Sequence, residues 1–339
     1  MLGYVDKKTQ VDVIILDFSK AFDVVSHRKL LAKLENYGIR GELLIWIKAF
    51  LTGRTQQVVV NGRSSTKAQV ESGVPQGTCL GPVLFLCYIN DIVEGLSSSI
   101  RLFADDALLY RPIESHEDHL ILENDLDKLS SWAKKWDMCF NTKKCQTMSV
   151  CQPNQEKSVY FYTMCGEILG SVSNSPYLGV TINDNLTFDT HISKSVAKAS
   201  RMLGFINRTL RSCPPKLKEL AYFALCRSNL EYASQIWDPP PNSSAASAIE
   251  RIQRRAARFV VNDRRQLSSV TEILRRLDWE PLSHRRTNQR LVLMHQIHND
   301  LVSVQFEPGM LVPGLRSRYR QIRTSSTALK NSYLPYLRV

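Results

Sequence analysis

The tetrapeptide Phe103-Ala104-Asp105-Asp106 lies between two short apolar runs, residues 99–103 and 107–110. Runs of this length and composition predict strands, so the two acids are expected at the tip of a β-hairpin. Adjacent carboxylates at a turn suit a divalent cation, but solvated turns are rich in Asp for conformational reasons alone. The pair indicates a metal site only if other parts of the chain supply further ligands.

Two upstream segments supply candidates. An apolar run of strand length, residues 11–16, ends in Asp17 and continues as Phe18-Ser19-Lys20-Ala21-Phe22-Asp23. Ser72-Gly73-Val74-Pro75-Gln76-Gly77 follows, and residues 80–85 then open a helix. If the first strand lies beside the hairpin, all three carboxylates meet at one edge of the sheet. Their mutual repulsion is then relieved by a bound cation.

In their order and separation these three segments resemble motifs A, B and C of reverse transcriptases, most closely those of jockey-like non-LTR retrotransposons. The resemblance runs from about residue 11 towards the C-terminus, and its later part is less specific. It implies an RNA-directed DNA polymerase that uses an RNA template, a DNA primer and dNTPs. It also implies two Mg²⁺ ions, with Mn²⁺ as a substitute. Asp17, Asp105 and Asp106 are the implied catalytic acids and metal ligands, and the backbone carbonyl of Phe18 completes the coordination.

The resemblance further implies a nucleotide pocket around these acids. Phe22 stands where the family carries an aromatic gate beneath the sugar, and its bulk there would exclude a ribonucleotide 2′-hydroxyl. Simple packing of the Phe22 ring is the alternative. Pro75, Gln76 and Gly77 are expected to border the same pocket and the template base.

Two later motifs complete the resemblance. Asn141-Thr142-Lys143-Lys144 is similar to motif D, in which a lysine at the position of Lys144 lies near the incoming triphosphate. Paired lysines are also common in solvated turns. Tyr177-Leu178-Gly179-Val180 resembles motif E, a hairpin that grips the primer end, so Leu178 and Gly179 are expected to bind substrate.

Apolar periodicity predicts an α+β fold. Helices are expected over residues 27–37, 42–51, 83–93 and 117–136, and strands over 11–16, 55–60, 67–71 and both sides of Asp105. This order suits a right-hand polymerase palm, an antiparallel sheet with helices on one face. The helix at 83–93 is apolar nearly all round, so it is expected to be buried beneath the sheet.

The pattern becomes wholly helical after the palm. We expect a palm over residues 1–187, a helical thumb over 188–238, and a basic helical C-terminal extension over 239–339 that begins at Pro239-Pro240-Pro241. One face of the helix near residues 245–261 carries arginines that either face solvent or bind nucleic-acid phosphates. They are Arg251, Arg254, Arg255 and Arg258. Arg316, Arg318, Arg320 and Arg323 follow in a tail without clear periodicity.

Charge is divided unevenly along the chain. Residues 1–190 carry 19 Lys and Arg against 22 Asp and Glu, whereas residues 191–339 carry 25 against 10. An acidic metal site followed by a basic region fits a polyanionic partner, and nucleic acid is the obvious one.

The chain shows no run of transmembrane length and no signal or transit peptide. We therefore expect a soluble, intracellular protein without membrane attachment, found in cytoplasm and nucleus as a ribonucleoprotein.

Only sixteen residues precede Asp17, so we expect a fragment without the fingers region and without an endonuclease domain. Two functions stay open, an RNA-directed DNA polymerase and a catalytically inactive nucleic-acid-binding remnant with the same fold.

Overall fold

The structure, a computed structural model, describes residues 1–263 and 268–302. Its backbone divides into two compact units. The sheet unit comprises residues 9–150 and 156–173, and the helical unit comprises residues 1–8, 151–155 and the described residues from 174 onward. The arginines noted at positions 316 to 323, and the rest of the predicted extension beyond residue 302, lie outside the described residues.

The first part of the chain alternates helices and strands. In chain order its elements are α1 (Leu2–Asp6), β1 (Gln10–Leu16), α2 (His27–Asn36), α3 (Gly41–Leu51), β2 (Thr55–Gln56), β3 (Val59–Val60), β4 (Arg63–Ser64), β5 (Ala68–Gln69), α4 (Leu80–Ile89), β6 (Ser99–Phe103), β7 (Asp106–Ile113), α5 (His116–Lys135), β8 (Gln146–Val150), β9 (Thr163–Met164), β10 (Glu167–Ile168), β11 (Gly170–Ser171), β12 (Asn174–Tyr177) and β13 (Val180–Asn183). All except α1, β12 and β13 belong to the sheet unit.

A five-stranded sheet in the order β11-β8-β1-β7-β6 forms the centre of the sheet unit. Its pairs are antiparallel except β11 with β8. The central strand β1 is buried at six of its seven positions. It pairs with β7 from Gln10 opposite Ile113 to Leu16 opposite Ala107. The strand that precedes Asp17 therefore lies beside the hairpin strand.

Helices α2 and α5 pack against one face of this sheet. Side chains alternate between the faces of a strand, so Ile14 and Leu16 point the same way as their partners Leu109 and Ala107. These four side chains join one apolar core with fully buried leucines of the helices. Those leucines are Leu30, Leu34, Leu122, Leu126 and Leu129. The predicted α+β palm with helices against one sheet face is confirmed.

Helix α4 differs from the prediction. Leu84, Phe85 and Tyr88 are buried, but Val83 and Leu86 are 52% and 51% exposed. The helix was expected to be buried beneath the sheet, and it is buried on one side only. Because its sequence is apolar on every side, the side that neighbouring elements cover cannot be predicted from it.

The helical unit continues with seven α-helices in its described part, and a π-helical segment, Phe223–Arg227, joins the second of them to the third. They are α6 (Asp189–Thr209), α7 (Pro215–Tyr222), α8 (Ser228–Glu231), α9 (Ser234–Trp237), α10 (Ser244–Val260), α11 (Val270–Arg276) and α12 (Leu282–His298). Leu203, Tyr222, Ile252 and Trp279 belong to their shared apolar core. Helices on both sides of Pro239-Pro240-Pro241 belong to this unit, and a domain boundary at residue 239 stays a prediction.

In the part of the chain that the structure describes, no helix combines the length and the apolarity needed to span a membrane.

The N-terminus of α5 depends on a carboxylate in its first turn. Asp118 accepts hydrogen bonds from the N–H groups of Glu114 (3.1 Å) and Ser115 (3.0 Å) and from the Arg111 guanidinium (2.9 Å). Burial opposes ionisation of Asp118, but these hydrogen bonds outweigh it and hold its pKa below the usual range. The carboxylate therefore stabilises the folded state when it is ionised.

We expect Asp118→Asn to lower the free energy of unfolding by about 1 kcal/mol near neutral pH. A carboxyl whose pKa is depressed by folding contributes stability above its unfolded pKa and loses it as pH falls through the folded pKa. The deficit of the variant should therefore shrink in acid. Urea unfolding at neutral and at strongly acidic pH measures it. Asp127→Asn, at an exposed position of the same helix, is the control, and an equal deficit at both pH values would contradict the prediction.

Candidate active site

Two of the predicted acids face each other across the sheet. Asp17 directly follows β1, and Asp106 begins β7. Leu16 pairs with Ala107, and the same register carried one residue further sets Asp17 opposite Asp106. Side chains that oppose each other in an antiparallel pair project from the same face, with Cβ atoms about 5 Å apart. Two carboxylates that are distant in sequence are thus neighbours at one end of the sheet.

The third acid occupies the hairpin tip. Phe103 pairs with Asp106, so only Ala104 and Asp105 join β6 to β7. Ala104 has a φ of 52°, in the left-handed region that costs a residue with a Cβ about 1 kcal/mol or more. Strained backbone of this kind is concentrated at functional sites. The tight turn therefore fixes the backbone at Asp105, the residue directly before Asp106.

The negative charges of Asp17 and Asp105 act on Asp106. Burial raises the pKa of Asp106, and the negative charges of Asp105 and Asp17 raise it further. Oδ2 of Asp17 is buried and accepts no hydrogen bond. The Lys144 ammonium lies 3.5 Å from this oxygen. The site therefore holds more negative charge than the side chains around it neutralise.

A cation would relieve this excess, and oxygen donors are what Mg²⁺ prefers. Within residues 1–263 and 268–302, however, no three His, Cys, Asp or Glu side chains are already gathered around one point as metal ligands are. The donors present have the right chemistry, and side-chain rotation is needed to bring them together.

Main-chain bonds fix the segment that carries Asp17. Its N–H donates to the Cys145 thiol sulfur at 3.4 Å, and its carbonyl accepts from the N–H of Asn141 at 2.8 Å. The peptide N–H of Ser19 donates to the carbonyl of Cys139 at 2.8 Å. These bonds attach the end of β1 to the segment that carries Lys144. The proximity of Lys144 to Asp17 is therefore set by the backbone.

Phe18 lies opposite Phe140 in an isolated β-bridge, and the two rings stack with centroids 4.3 Å apart. The two hydrogen bonds of this bridge use the carbonyl of Asp17 and the N–H of Ser19. These two bonds leave the Phe18 carbonyl unoccupied, and its role as a metal ligand stays a prediction.

Phe22 is half-buried, and its ring stacks on that of Phe85 with centroids 4.3 Å apart. Phe85 belongs to α4 and is fully buried. A ring that rests on a fully buried neighbour has little room to yield when a ligand presses on it. The Phe22 ring can therefore pack against Phe85 and still act as the predicted gate beneath the sugar.

The segment at residues 72–77 is fastened to the segment after Asp17. Gly73 donates to the Val25 carbonyl (2.8 Å) and Val74 to the Phe22 carbonyl (2.9 Å). Gly73 has a φ of 83°, and a Cβ there would lie 2.8 Å from the carbonyl oxygen of Asp23. Glycine in such a segment can let the backbone approach a ligand closely. At Gly73 the close approach is to the chain itself.

Gln76 is exposed beyond this junction, and its side-chain amide donates to Oδ1 of Asp23 at 3.0 Å. The same segment holds Pro75 and Gly77. Because Asp23 directly follows Phe22, the structure brings this part of the predicted nucleotide pocket together. Sequence reasoning did not single out Asp23, whose partner lies 53 positions away.

The remaining predicted residues lie in the helical unit. Leu178 and Gly179 form the turn between β12 and β13. The four arginines of α10 share no single environment: Arg251, Arg254 and Arg255 are exposed, whereas Arg258 is half-buried and donates to the Ser268 carbonyl at 3.2 Å.

A basic stripe on α6 was missed by sequence reasoning. It consists of Lys194, Lys198, Arg201 and Arg208, all exposed. Their spacing of four, three and seven residues sets them on one face of the helix. That spacing is visible in the sequence and could have identified the stripe.

Comparison with known proteins gives a consistent picture. The family model described as "Reverse transcriptase (RNA-dependent DNA polymerase)" matches residues 4–182. The chain is 31% identical over 252 residues to the RNA-directed DNA polymerase from mobile element jockey of Drosophila funebris, covering 70% of this chain and 27% of that protein. It is 27% identical over 284 residues to the probable RNA-directed DNA polymerase from transposon BS of Drosophila melanogaster, covering 76% and 30%. The chain thus spans less than a third of the length of these two relatives.

Among solved structures, telomerase from Candida tropicalis in complex with a TWJ fragment of telomeric RNA is similar at 11% identity and a TM-score of 0.41. The match covers 86% of this chain and 42% of that one.

Asp106→Asn removes one of the three mutually repelling carboxylates. In metal-free buffer near neutral pH, the variant should melt a few degrees above the parent, because fewer like charges are held together in the folded state. Added Mg²⁺ or Mn²⁺ should raise the melting temperature of the parent more than that of the variant. Scanning fluorimetry with and without EDTA measures both, with Asp127→Asn as the control. A parent insensitive to both the substitution and the metal would contradict the prediction.

Proposed function

This chain belongs to the reverse transcriptase (RNA-dependent DNA polymerase) family, and we propose that it acts as the RNA-directed DNA polymerase of a non-LTR retrotransposon. The palm is the region predicted over residues 1–187, the thumb follows over 188–238 and the basic extension over 239–339. One observation carries the proposal: a buried Asp17 oxygen without a hydrogen-bond donor, set opposite Asp106 at the end of the sheet.

The proposed metal ligands are Asp17, Asp105, Asp106 and the Phe18 carbonyl. The Asp17 oxygen that accepts no hydrogen bond and has the Lys144 ammonium 3.5 Å away, and the raised pKa of Asp106, both indicate a place where positive charge is favourable. Two Mg²⁺ ions fit these donors, with Mn²⁺ as a substitute. Bound there, such ions would make the primer 3′-hydroxyl more acidic and would stabilise the charge on the leaving pyrophosphate.

In the proposed reaction the primer 3′-oxygen attacks the α-phosphorus of a dNTP, and the bond to pyrophosphate breaks. Lys144 is 68% exposed although its ammonium reaches Asp17. It can therefore turn from that carboxylate towards the phosphates of a bound triphosphate. There its charge would stabilise the negative charge that develops on the leaving group.

The choice of sugar is assigned to Phe22. Its ring is supported from behind by the buried Phe85. A supported ring excludes a 2′-hydroxyl better than one that can rotate away, which favours dNTPs over ribonucleotides. Pro75, Gln76 and Gly77 border the same pocket and the template base, and the hydrogen bond from Gln76 to Asp23 limits the orientations of its amide.

Primer and template are assigned to the helical unit. Leu178 and Gly179 are proposed to contact the primer end. The exposed arginines of α10, Arg251, Arg254 and Arg255, are proposed to bind phosphates together with Arg258. The excess of basic over acidic residues after position 190 supports a polyanionic partner.

Asp105→Ala should slow Mg²⁺-dependent primer extension on an RNA template by about a thousandfold or more, because no neighbour can supply the missing metal ligand. Asp127→Ala, which alters an exposed helix position, is the control and should behave as the parent. A variant within about tenfold of the parent would contradict the assignment, since roughly 1.4 kcal/mol is too little for the removal of a ligand. A parent that binds primer–template but never extends it would support the inactive remnant.

Phe22→Val should admit ribonucleotides while dNTP use stays within about tenfold of the parent, because the change removes bulk and no metal ligand. Competition between dCTP and CTP in primer extension measures the discrimination. Phe50→Val, a partly buried aromatic of α3, is the control for general loosening. Unchanged discrimination in the Phe22 variant would mean that the ring only packs.

A further inference from the structure

The turn between β12 and β13 has an unusual sequence for its conformation. Tyr177 pairs with Val180, so Leu178 and Gly179 alone make the turn. Both have positive φ, 47° and 78°, which is the pattern of a type I′ turn. Asn-Gly is the favoured sequence there, and a leucine at the first position is strained. Something outside the hairpin must hold the turn in place.

Tyr232 makes two contacts with this turn. Its hydroxyl donates to the Leu178 carbonyl at 3.0 Å. A Cβ on Gly179 would lie 3.0 Å from Cε1 of Tyr232, tighter than an ordinary contact. The ring therefore lies directly against the glycine while the hydroxyl holds the residue before it.

The main chain of Tyr232 is itself firmly held. Its carbonyl accepts a hydrogen bond at 2.7 Å from the indole N–H of Trp237, which is only 2% exposed. The next residue, Ala233, has a φ of 52°. The Tyr232 side chain is nevertheless 56% exposed. A tyrosine whose backbone is anchored and whose ring is half in solvent is well placed to support a surface turn.

A groove of about 470 Å³ opens beside the turn. Gly179 and Tyr232 line it together with Lys194 and Lys198 of the basic stripe. Asn229 adds an amide. None of the described residues that line the groove is acidic. Ammonium, amide and hydroxyl donors around an open groove fit the phosphates of a nucleic-acid strand.

We propose that Tyr232 is a positioning residue that holds the strained Leu178–Gly179 turn in the conformation in which it meets a nucleic-acid strand lying in this groove. Taking the strand to be the primer rests on the proposed function. Tyr232 acts through the turn: the lysines supply charge, and the tyrosine supplies a fixed backbone. Removing it should weaken binding without changing how many phosphates are neutralised.

The test measures affinity for a primer–template duplex by fluorescence anisotropy over a salt series. Tyr232→Phe removes only the hydroxyl and should weaken binding about three- to tenfold, the size expected for one hydrogen bond. Its salt slope should equal that of the parent. Lys194→Gln with Lys198→Gln should reduce the slope by about 0.9 for each phosphate that the variant no longer neutralises. Tyr37→Phe, another half-exposed tyrosine, is the control and should bind as the parent does.

A second turn variant separates positioning from a general loss of structure. Asn-Gly adopts a type I′ turn without help, so Tyr232→Phe should weaken binding much less in a chain that carries Leu178→Asn than in the parent, and Leu178→Asn alone measures the loss of the leucine side chain. Melting temperatures monitor folding throughout. If the parent binds with a steep salt slope but Tyr232→Phe binds equally well, or if Tyr232→Phe weakens binding as much in the presence of Leu178→Asn as in its absence, the inference is overturned and the proposed function is untouched. A parent that does not bind duplex at all would overturn both.

Discussion

The sheet unit depends on the pairing of β1 with β7, which sets two carboxylates opposite each other at the end of its sheet. Burial and the neighbouring charges raise the pKa of Asp106, and a buried oxygen of Asp17 has no hydrogen-bond donor. A folded protein tolerates such an arrangement only when the surrounding structure fixes it or a ligand relieves it. Here the surroundings fix it. The pairing of β1 with β7 and the strained turn at Ala104 fix the backbone positions of the acids.

Main-chain hydrogen bonds also fix the segments that form the predicted nucleotide pocket around the acids. The end of β1 is bonded to the segment that carries Lys144, and the segment of Gln76 is bonded to the one that carries Phe22. Residues with different proposed roles are therefore held by main-chain bonds between loops and not by side-chain contacts alone. Such bonds resist displacement better than exposed side-chain pairs, whose hydrogen bonds compete with water. A site built in this way can keep its geometry while its side chains remain available to ligands.

The helical unit has a different character. Its core is apolar and conventional, whereas its surface carries basic side chains on α6 and α10. The β12–β13 turn combines a strained leucine with an exposed tyrosine that supports it. A segment kept for stability alone would gain from Asn at position 178. With leucine there, the hydrogen bond from Tyr232 to the Leu178 carbonyl supports the turn instead.

The sequence by itself determined the strand that ends at Asp17, the Asp105 hairpin, the order of helices and strands, and the family, because local apolar periodicity and motif spacing are properties of short segments. It also predicted burial for α4, and there it failed, since an apolar sequence does not tell which side its neighbours cover. Only the tertiary structure decided that Asp17 stands opposite Asp106, that Asp23 holds Gln76, and that Tyr232 holds the turn at Leu178. These pairs join residues separated by 53 to 89 positions. Long-range pairing follows from strand register and from packing around shared cores, which no single segment encodes.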